Sequence, residues 1–436
     1  MSRIKWLLCL AVACTALVAA GCGGDDEGGG DGGGGGGAEE AQVPLPNNAK
    51  TISLDKAQSA TGDVTFCIGG SLEGHNQTLA AFNKQGGVNA KFIELGEQAD
   101  QQRTQQIQRL RAKSPECDVL AMDVIWTAEY ASQGWIYDLS EVAQQRKAEF
   151  ITSTIDSATY GKKVWALPIN SNAGFLYYRK DVAQEAPATW QEVYEQAGQS
   201  DGIVYQGARY EGLTVNFLEL LFSAGGNILD ESGTKSAADS PQAREVLQFM
   251  IDGIKSGAAP KAVTTYQEEQ GRRAFENGRA SFMRNWPYAY DLGNQSDIKG
   301  KFEIAPFPAF GEGKAAGVLG GFNLAINAAS DNPEGALAFI NFYSSPEGQE
   351  IMATEGALPP VLNATYDDAQ VKKALPFAEE LRQAIQQARP RPVSPVYSQI
   401  SQAIFQNVHS ALTGRMSADQ AVKAMNQGIQ QALETF

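Results

Sequence analysis

Strand-like and helix-like runs alternate along the first apolar stretch of this chain, and that order restricts its architecture more than any other feature. Residues 64–68 read as a strand closed by Gly69-Gly70, 76–85 as a helix, 91–95 as a strand, 99–113 as a long polar helix, 118–122 as a strand and 126–134 as a helix. Short apolar strands separated by helices imply a mainly parallel sheet covered on both faces. Ligands of such sheets sit beyond the carboxyl ends of the strands. The loops at those ends are Gly69-Gly70-Ser71-Leu72-Glu73 and Asp123-Val124-Ile125-Trp126.

A further extended run, 164–169, is broken by Asn170-Ser171-Asn172-Ala173-Gly174 and resumes at Phe175-Leu176-Tyr177-Tyr178-Arg179-Lys180, which predicts a strand crossing between two lobes. The run 318–326, carrying Gly320-Gly321, is where the chain returns to the first lobe. Between them the spacing predicts helices over 210–224 and 240–256, the latter with Ser240 as N-cap and Pro241 at its first position, and around 268–277. Asn332-Pro333-Glu334 and Ser345-Pro346-Glu347 open two more. Over 417–435, Ala421, Val422, Met425, Ile429 and Leu433 recur at helical spacing, the mark of a packed amphipathic helix.

The N-terminus follows different rules. Arg3 and Lys5 precede an apolar run of about fifteen residues, short of the roughly 20 that span a bilayer. Small residues then lead into Cys22. This order predicts a lipoprotein export signal over 1–21, with Cys22 as the lipid-bearing first residue of the mature chain. Residues 22–48 hold Gly-Gly-Asp-Asp-Glu and an unbroken glycine run from Gly32 to Gly37, a composition that cannot bury enough apolar surface to offset its ordering entropy. A flexible tether of this length has a root-mean-square span of about 28 Å. Two acyl chains on Cys22 suffice for stable anchoring. The expected location is extracytoplasmic, on the bacterial cell membrane.

The chain carries 35 basic and 50 acidic residues, and loss of Arg3 and Lys5 with the signal leaves 33 against 50, a mature charge of −17. Such a surface repels phosphate backbones and anionic lipid, so nucleic acid is excluded as a partner and attachment falls to the lipid. The roughly 380 residues beyond the tether are enough for two lobes, each with its own core. Cys67 and Cys117 remain in this part; an exported pair beside neighbouring parallel strands permits a disulfide, with two buried thiols as the alternative. His75 and His409 stand far apart and no Cys-x-x-Cys occurs, so no metal and no cofactor are called for.

No nucleophile elbow, phosphate loop, dinucleotide fingerprint or zinc helix is present. Plentiful carboxylates and aromatics leave two kinds of protein: a glycosidase with a carboxylate pair about 5 to 10 Å apart, or a receptor for a neutral polar guest. Asn285-Trp286-Pro287-Tyr288-Ala289-Tyr290 follows the strand-like 280–283 and projects rigid rings from its end. Ring faces can cover the C–H face of a sugar while carboxylates and amides bind its hydroxyls.

Six segments in order make the chain recognisable: Asp118 to Trp126, Ala173 to Asp181, Tyr210-Glu211-Gly212-Leu213, Arg284-Asn285-Trp286-Pro287-Tyr288-Ala289, Leu319-Gly320-Gly321-Phe322 and Pro390-Arg391-Pro392. It resembles the extracytoplasmic solute-binding proteins (family 1) of ABC sugar importers, trehalose/maltose-binding branch, from about Val64 to the C-terminus. The resemblance implies an α/β, two-lobed periplasmic-binding-protein fold of type II, hinged, with the ligand cleft between lobes built from 62–169 plus 323–344 and from 173–320 plus 346–436. It implies a monomeric, non-enzymatic receptor that captures a small oligosaccharide of the trehalose or maltose kind and passes it to permease subunits driven by a cytoplasmic ATPase. An exported glycosidase, or a receptor for another polar solute such as a glycerophosphodiester or polyamine, is the alternative.

The resemblance also assigns ligand-binding positions. Asp123 falls on the hydroxyl-binding acid after the third strand, a place where a helix N-cap serves equally. Glu73 falls on the acid of the first strand loop and Arg103 on an arginine opening the long helix. Asn172 takes a crossover position often held by an acid; its amide both donates and accepts, so hydroxyl binding survives while the charge is lost. Glu268 or Glu269 reaches in from the second lobe. Trp286 and Tyr288 fall on the stacking aromatics, Gly321 and Phe322 on a Gly-Trp pair, and Arg391 on a sugar-binding arginine with a planar fork.

Overall fold

A computed structural model describes residues 45–69, 72–96 and 99–435; the expected signal, Cys22 and most of the tether lie outside them. Its strands are β1 (Gly62–Ile68), β2 (Val88–Glu94), β3 (Val119–Asp123), β4 (Thr159–Tyr160), β5 (Lys163–Val164), β6 (Leu167–Ala173), β7 (Phe175–Arg179), β8 (Ile203–Val204), β9 (Phe282–Asn285), β10 (Phe302–Ala305) and β11 (Leu319–Ile326). Among the described residues they form a five-stranded sheet in the order β2-β1-β3-β11-β6, a four-stranded sheet in the order β10-β7-β9-β8, and the small β4-β5 hairpin.

The larger sheets each contain one strand running against the rest. In the first, β1 is parallel to β2 and β3, while β11 is antiparallel to both β3 and β6. In the second, β7 is antiparallel to β9 and β10, and β8 is parallel to β9. The reversed strands lie beside the places where the chain passes from one sheet to the other. A wholly parallel sheet needs a crossover for every strand, whereas a strand returning from the other lobe can enter in either sense.

Two differences from the sequence reading have physical causes. The polar stretch Asn170-Ser171-Asn172 does not break the extended run: β6 continues to Ala173 and only Gly174 separates it from β7. Pairing with β11, from Leu319↔Ala173 to Leu324↔Leu167 with a bulge between Phe322 and Asn323, overrides the weak strand preference of asparagine and serine. The strand before Trp286 spans Phe282–Asn285 rather than 280–283, which sets Trp286 directly at its end.

Each sheet has its own core, giving two lobes. Val64, Phe66, Val119, Leu324, Phe339 and Ile340 pack around the first, and Leu218, Val246, Phe282, Ile404 and Val422 around the second. The helix Ala418–Glu434 buries Ala421, Val422, Met425 and Ile429 against the second core. Ser240, Asn332 and Ser345 cap their helices, accepting from the backbone N–H of Ala243, Gly335 and Gly348 at 3.1, 3.0 and 3.2 Å. Each cap contributes about 1 kcal/mol. Cys67 and Cys117, both fully buried, form a disulfide with Cα atoms 5.5 Å apart. Closing a loop with sequence separation 50 removes about 4 kcal/mol of unfolded-chain entropy in the loop-closure picture. Among the described residues no helix is long and apolar enough to cross a membrane.

Candidate ligand-binding site

The register of β11 fixes one side of the site. Phe322 lies opposite Asp123 at the end of β3, and Gly320 opposite Asn172 in β6. Gly321 has φ +119°, and a Cβ there would stand 2.3 Å from the carbonyl oxygen of Asn170, so no side chain fits. A Cβ on Gly320 would lie 3.3 Å from two ring atoms of Trp286 and 3.6 Å from Asn172 Cβ, so the missing side chain lets the indole approach the crossing strands. Asn170 Oδ1 accepts from the Phe322 N–H at 3.0 Å and holds this turn of backbone in place.

Asp123 serves as a cap and as the partner of an arginine. Its Oδ1 accepts from the Ile125 N–H at 3.1 Å, capping the turn Val124–Trp126, and from Arg391 Nη2 at 3.1 Å. Arg391 is buried; its Nη1 donates to Glu211 at 2.9 Å and its Nη2 also reaches the Leu319 carbonyl at 3.4 Å. Glu211 begins the helix Glu211–Ser223 and further accepts from the hydroxyls of Tyr397, at 2.6 Å, and Ser401. One guanidinium thus joins an acid beside the first sheet to an acid on a helix of the second lobe. Burial acts to lower the Arg391 pKa, but Asp123, Tyr397 and Glu211 together hold it above its ordinary value. Burial raises the Glu211 carboxyl despite its three donors.

The aromatic side grows from β9. Asn285 Oδ1 accepts from the Trp286 N–H at 2.8 Å, and its Nδ2 donates to the Glu268 carbonyl at 3.3 Å, tying the strand end to the helix Glu268–Glu276. Tyr177 donates its hydroxyl to the Trp286 carbonyl at 2.7 Å. Trp286 is half-buried, while Tyr288 is 40% exposed and donates to Glu269 at 2.9 Å. The Arg272 guanidinium, chiefly, holds Glu269 below the usual carboxylate range. Tyr210 stands near Glu268: burial first, then that carboxylate, pushes its hydroxyl well above its ordinary pKa.

The contacts therefore bring Asp123, Asn172, Trp286, Gly321, Phe322 and Arg391 into one connected group, with Tyr288, Glu268 and Glu269 adjoining. Glu73 is exposed ahead of the helix His75–Lys84, its backbone so close to Gly356 that a Cβ there would lie 2.7 Å from its carbonyl oxygen. Arg103 does not open its helix but sits in the second turn of Ala99–Arg111, where it forms a forked ion pair with Glu129 at 2.7 Å, fastening that helix to Thr127–Ser132. Sequence reasoning placed Tyr210, Glu211 and Arg284 in recognisable segments without giving them a role, and it missed Glu219. Glu219 left a signal: a lone acid within Phe217-Leu218-Glu219-Leu220-Leu221 needs a buried partner.

Half-buried ring faces beside fixed donors and acceptors suit a guest with an apolar face and a polar rim. Residues 75–350 match the bacterial extracellular solute-binding proteins. The chain belongs to that family. This solute-binding protein is 36% identical over 369 residues to a probable ABC transporter-binding protein of Deinococcus radiodurans, covering 79% of this chain and 87% of the relative. A mannitol-binding protein of Pseudomonas aeruginosa is 25% identical over 348 residues, with 71% and 79% covered. Among solved structures, maltose-bound MalE3 of T. maritima superposes with a TM-score of 0.77 at 38% identity, covering 85% of this chain and all of the other. These relatives are binding proteins, and the two-lobed fold is shared with them.

Proposed function

We propose that this chain is the lipid-anchored extracytoplasmic receptor of an ABC importer, taking a small oligosaccharide of the trehalose or maltose kind. The observation that carries the reading is the contact path from the Trp286 ring over Gly320 to Asn172, and through Phe322 and Asp123 to Arg391. That path sets a flat apolar face beside an amide, an acid and a guanidinium, the groups a hydroxyl-rich guest needs. Similarity to a maltose-bound structure at 38% identity supports the sugar class. In this reading Trp286 and Tyr288 stack on the guest, while Asp123, Asn172, Glu268 and Arg391 bond its hydroxyls beside Gly321 and Phe322. Glu73 and Arg103 contribute from the first lobe. The lobes, 62–169 with 323–344 and 173–320 with 346–436, close as a monomer on the guest. Contacts made to both at once shift the population to the form the permease subunits receive. Cys22 carries the lipid.

Calorimetric titration of the tag-free mature protein with trehalose, maltose, maltotriose and mannitol tests the ligand. Saturable binding of a glucose disaccharide is expected. Binding of mannitol alone would make this a polyol receptor, like the Pseudomonas relative; binding of none overturns the assignment. Recovery of the bound sugar intact separates a receptor from a glycosidase. Cys22→Ser should move the protein from the membrane fraction to the soluble fraction.

A further inference from the structure

Beneath Trp286 lies a buried charge pair that the ligand site itself does not use. Arg284, in β9, is 2% exposed and Glu219, in the helix Glu211–Ser223, is 1% exposed. Arg284 Nε donates to Glu219 Oε2 at 2.9 Å, Nη2 to Glu219 Oε1, and Nη1 to Gln206 Oε1 at 3.1 Å. Gln206 in turn donates to the Arg284 carbonyl at 3.2 Å, and its Oε1 accepts from Asn216 at 3.1 Å. The guanidinium has room because residue 174 is glycine: a Cβ there would lie 2.7 Å from Nη2. Its central carbon stands 4.1 Å from the Trp286 ring centroid.

A buried ion pair is an inefficient way to stabilise a lobe, since well-packed apolar residues of similar volume serve as well or better. It is, however, an effective way to fix a plane, because the forked carboxylate permits one orientation of the guanidinium. A ring lying on that plane is oriented with it. We propose that Arg284 is a positioning residue for Trp286: locked by Glu219 and Gln206, it covers the inner face of the indole and leaves the outer face set for the guest. A cation already on one face also reduces what the ring can offer a cationic guest on the other, which favours neutral solutes. The inference rests on the proposed stacking role of Trp286, but its orienting step holds without any ligand.

The test therefore has two readouts on the variant Arg284→Met/Glu219→Leu, which removes both charges so that neither is left unpaired. In ligand-free protein labelled with 5-fluorotryptophan, the Trp286 resonance, assigned by its loss in Trp286→Phe, should shift and broaden while the unfolding midpoint in urea holds or rises. The sugar that binds best to the parent should bind about tenfold more weakly, and by no further factor when the same double change is made in Trp286→Ala. An unmoved Trp286 resonance overturns the proposal, and so does an equal loss of affinity in the Trp286→Ala background. A moved resonance in a protein that binds no sugar leaves Arg284 as the positioning residue and removes the sugar reading instead.

Discussion

In the first lobe His75 is buried against Tyr343, ring centroids 6.1 Å apart, and its Nδ1 has no hydrogen-bond partner; in the second, Arg284 is buried with every guanidinium nitrogen bonded. The imidazole can be left unpaired because it escapes the desolvation cost by losing its proton, and burial lowers its pKa from 6.5 to about 4. A guanidinium has no neutral form within reach, so it must bring a carboxylate with it. Arg391 is intermediate: it is paired on both Nη atoms with acids flanking different lobes, while its Nε is unpartnered. A charge that serves a single lobe can be sealed completely. Arg391, whose acid partners come from two lobes, is bonded through two of its three nitrogens.

The largest expected effect tests the sealed pair. Glu219→Leu alone strands Arg284 and should cost about 3 to 5 kcal/mol in urea unfolding, a loss that adding Arg284→Met largely reverses. If Glu219→Leu is tolerated, Arg284 does not behave as a sealed charge in need of its carboxylate. His75 supplies the next. Above pH 6.5 the folded and unfolded states are both neutral there; below it the unfolded chain binds a proton that the folded chain refuses until about pH 4. Stability should therefore fall by up to about 3 kcal/mol between those values and then fall no further on this account. His75→Phe, which keeps the backbone carbonyl that accepts from Tyr343 at 3.0 Å, should abolish that part of the slope in a pH series of unfolding curves.

Smaller effects separate the two aromatics. Trp286, backed by a buried guanidinium, should lose about 1 to 3 kcal/mol of sugar affinity on change to Ala, with little change in unfolding midpoint. Tyr288 is backed by the half-exposed Glu269, so Tyr288→Phe, which keeps the ring and drops one hydrogen bond, should cost about 0.5 to 1 kcal/mol by the same titration. Reversal of that order would place the main stacking surface on the exposed ring.

Much of the fold was legible because it depends on local pattern. The β-α-β order from residue 64, the caps at Ser240, Asn332 and Ser345 and the apolar stripe on the last helix are written in adjacent residues. The site was legible in types but not in partners. Asp123 could be read as a cap or a ligand, and only coordinates reveal that it caps a turn and bonds Arg391, 268 residues away, with one oxygen. Arg103 reads as a ligand-binding arginine opening its helix, and only the fold reveals its ion pair with Glu129, 26 residues on. Glu211 and Arg284 stood in recognisable segments, but their partners Arg391 and Glu219 could not be read there, since a buried ion pair has no sequence period.

By itself, the sequence determined where strands and helices alternate, where helices begin, which rings follow β9, and a strongly negative net charge, because each depends on composition or on residues within a few positions of one another. Only the tertiary structure decided that Asn170-Ser171-Asn172 is strand, that Gly320, paired with Asn172, leaves room for the Trp286 ring, and that Arg391 joins acids from two lobes. Those outcomes depend on pairings across more than a hundred residues, where the energy of burying a polar group is fixed by whichever partner the fold supplies.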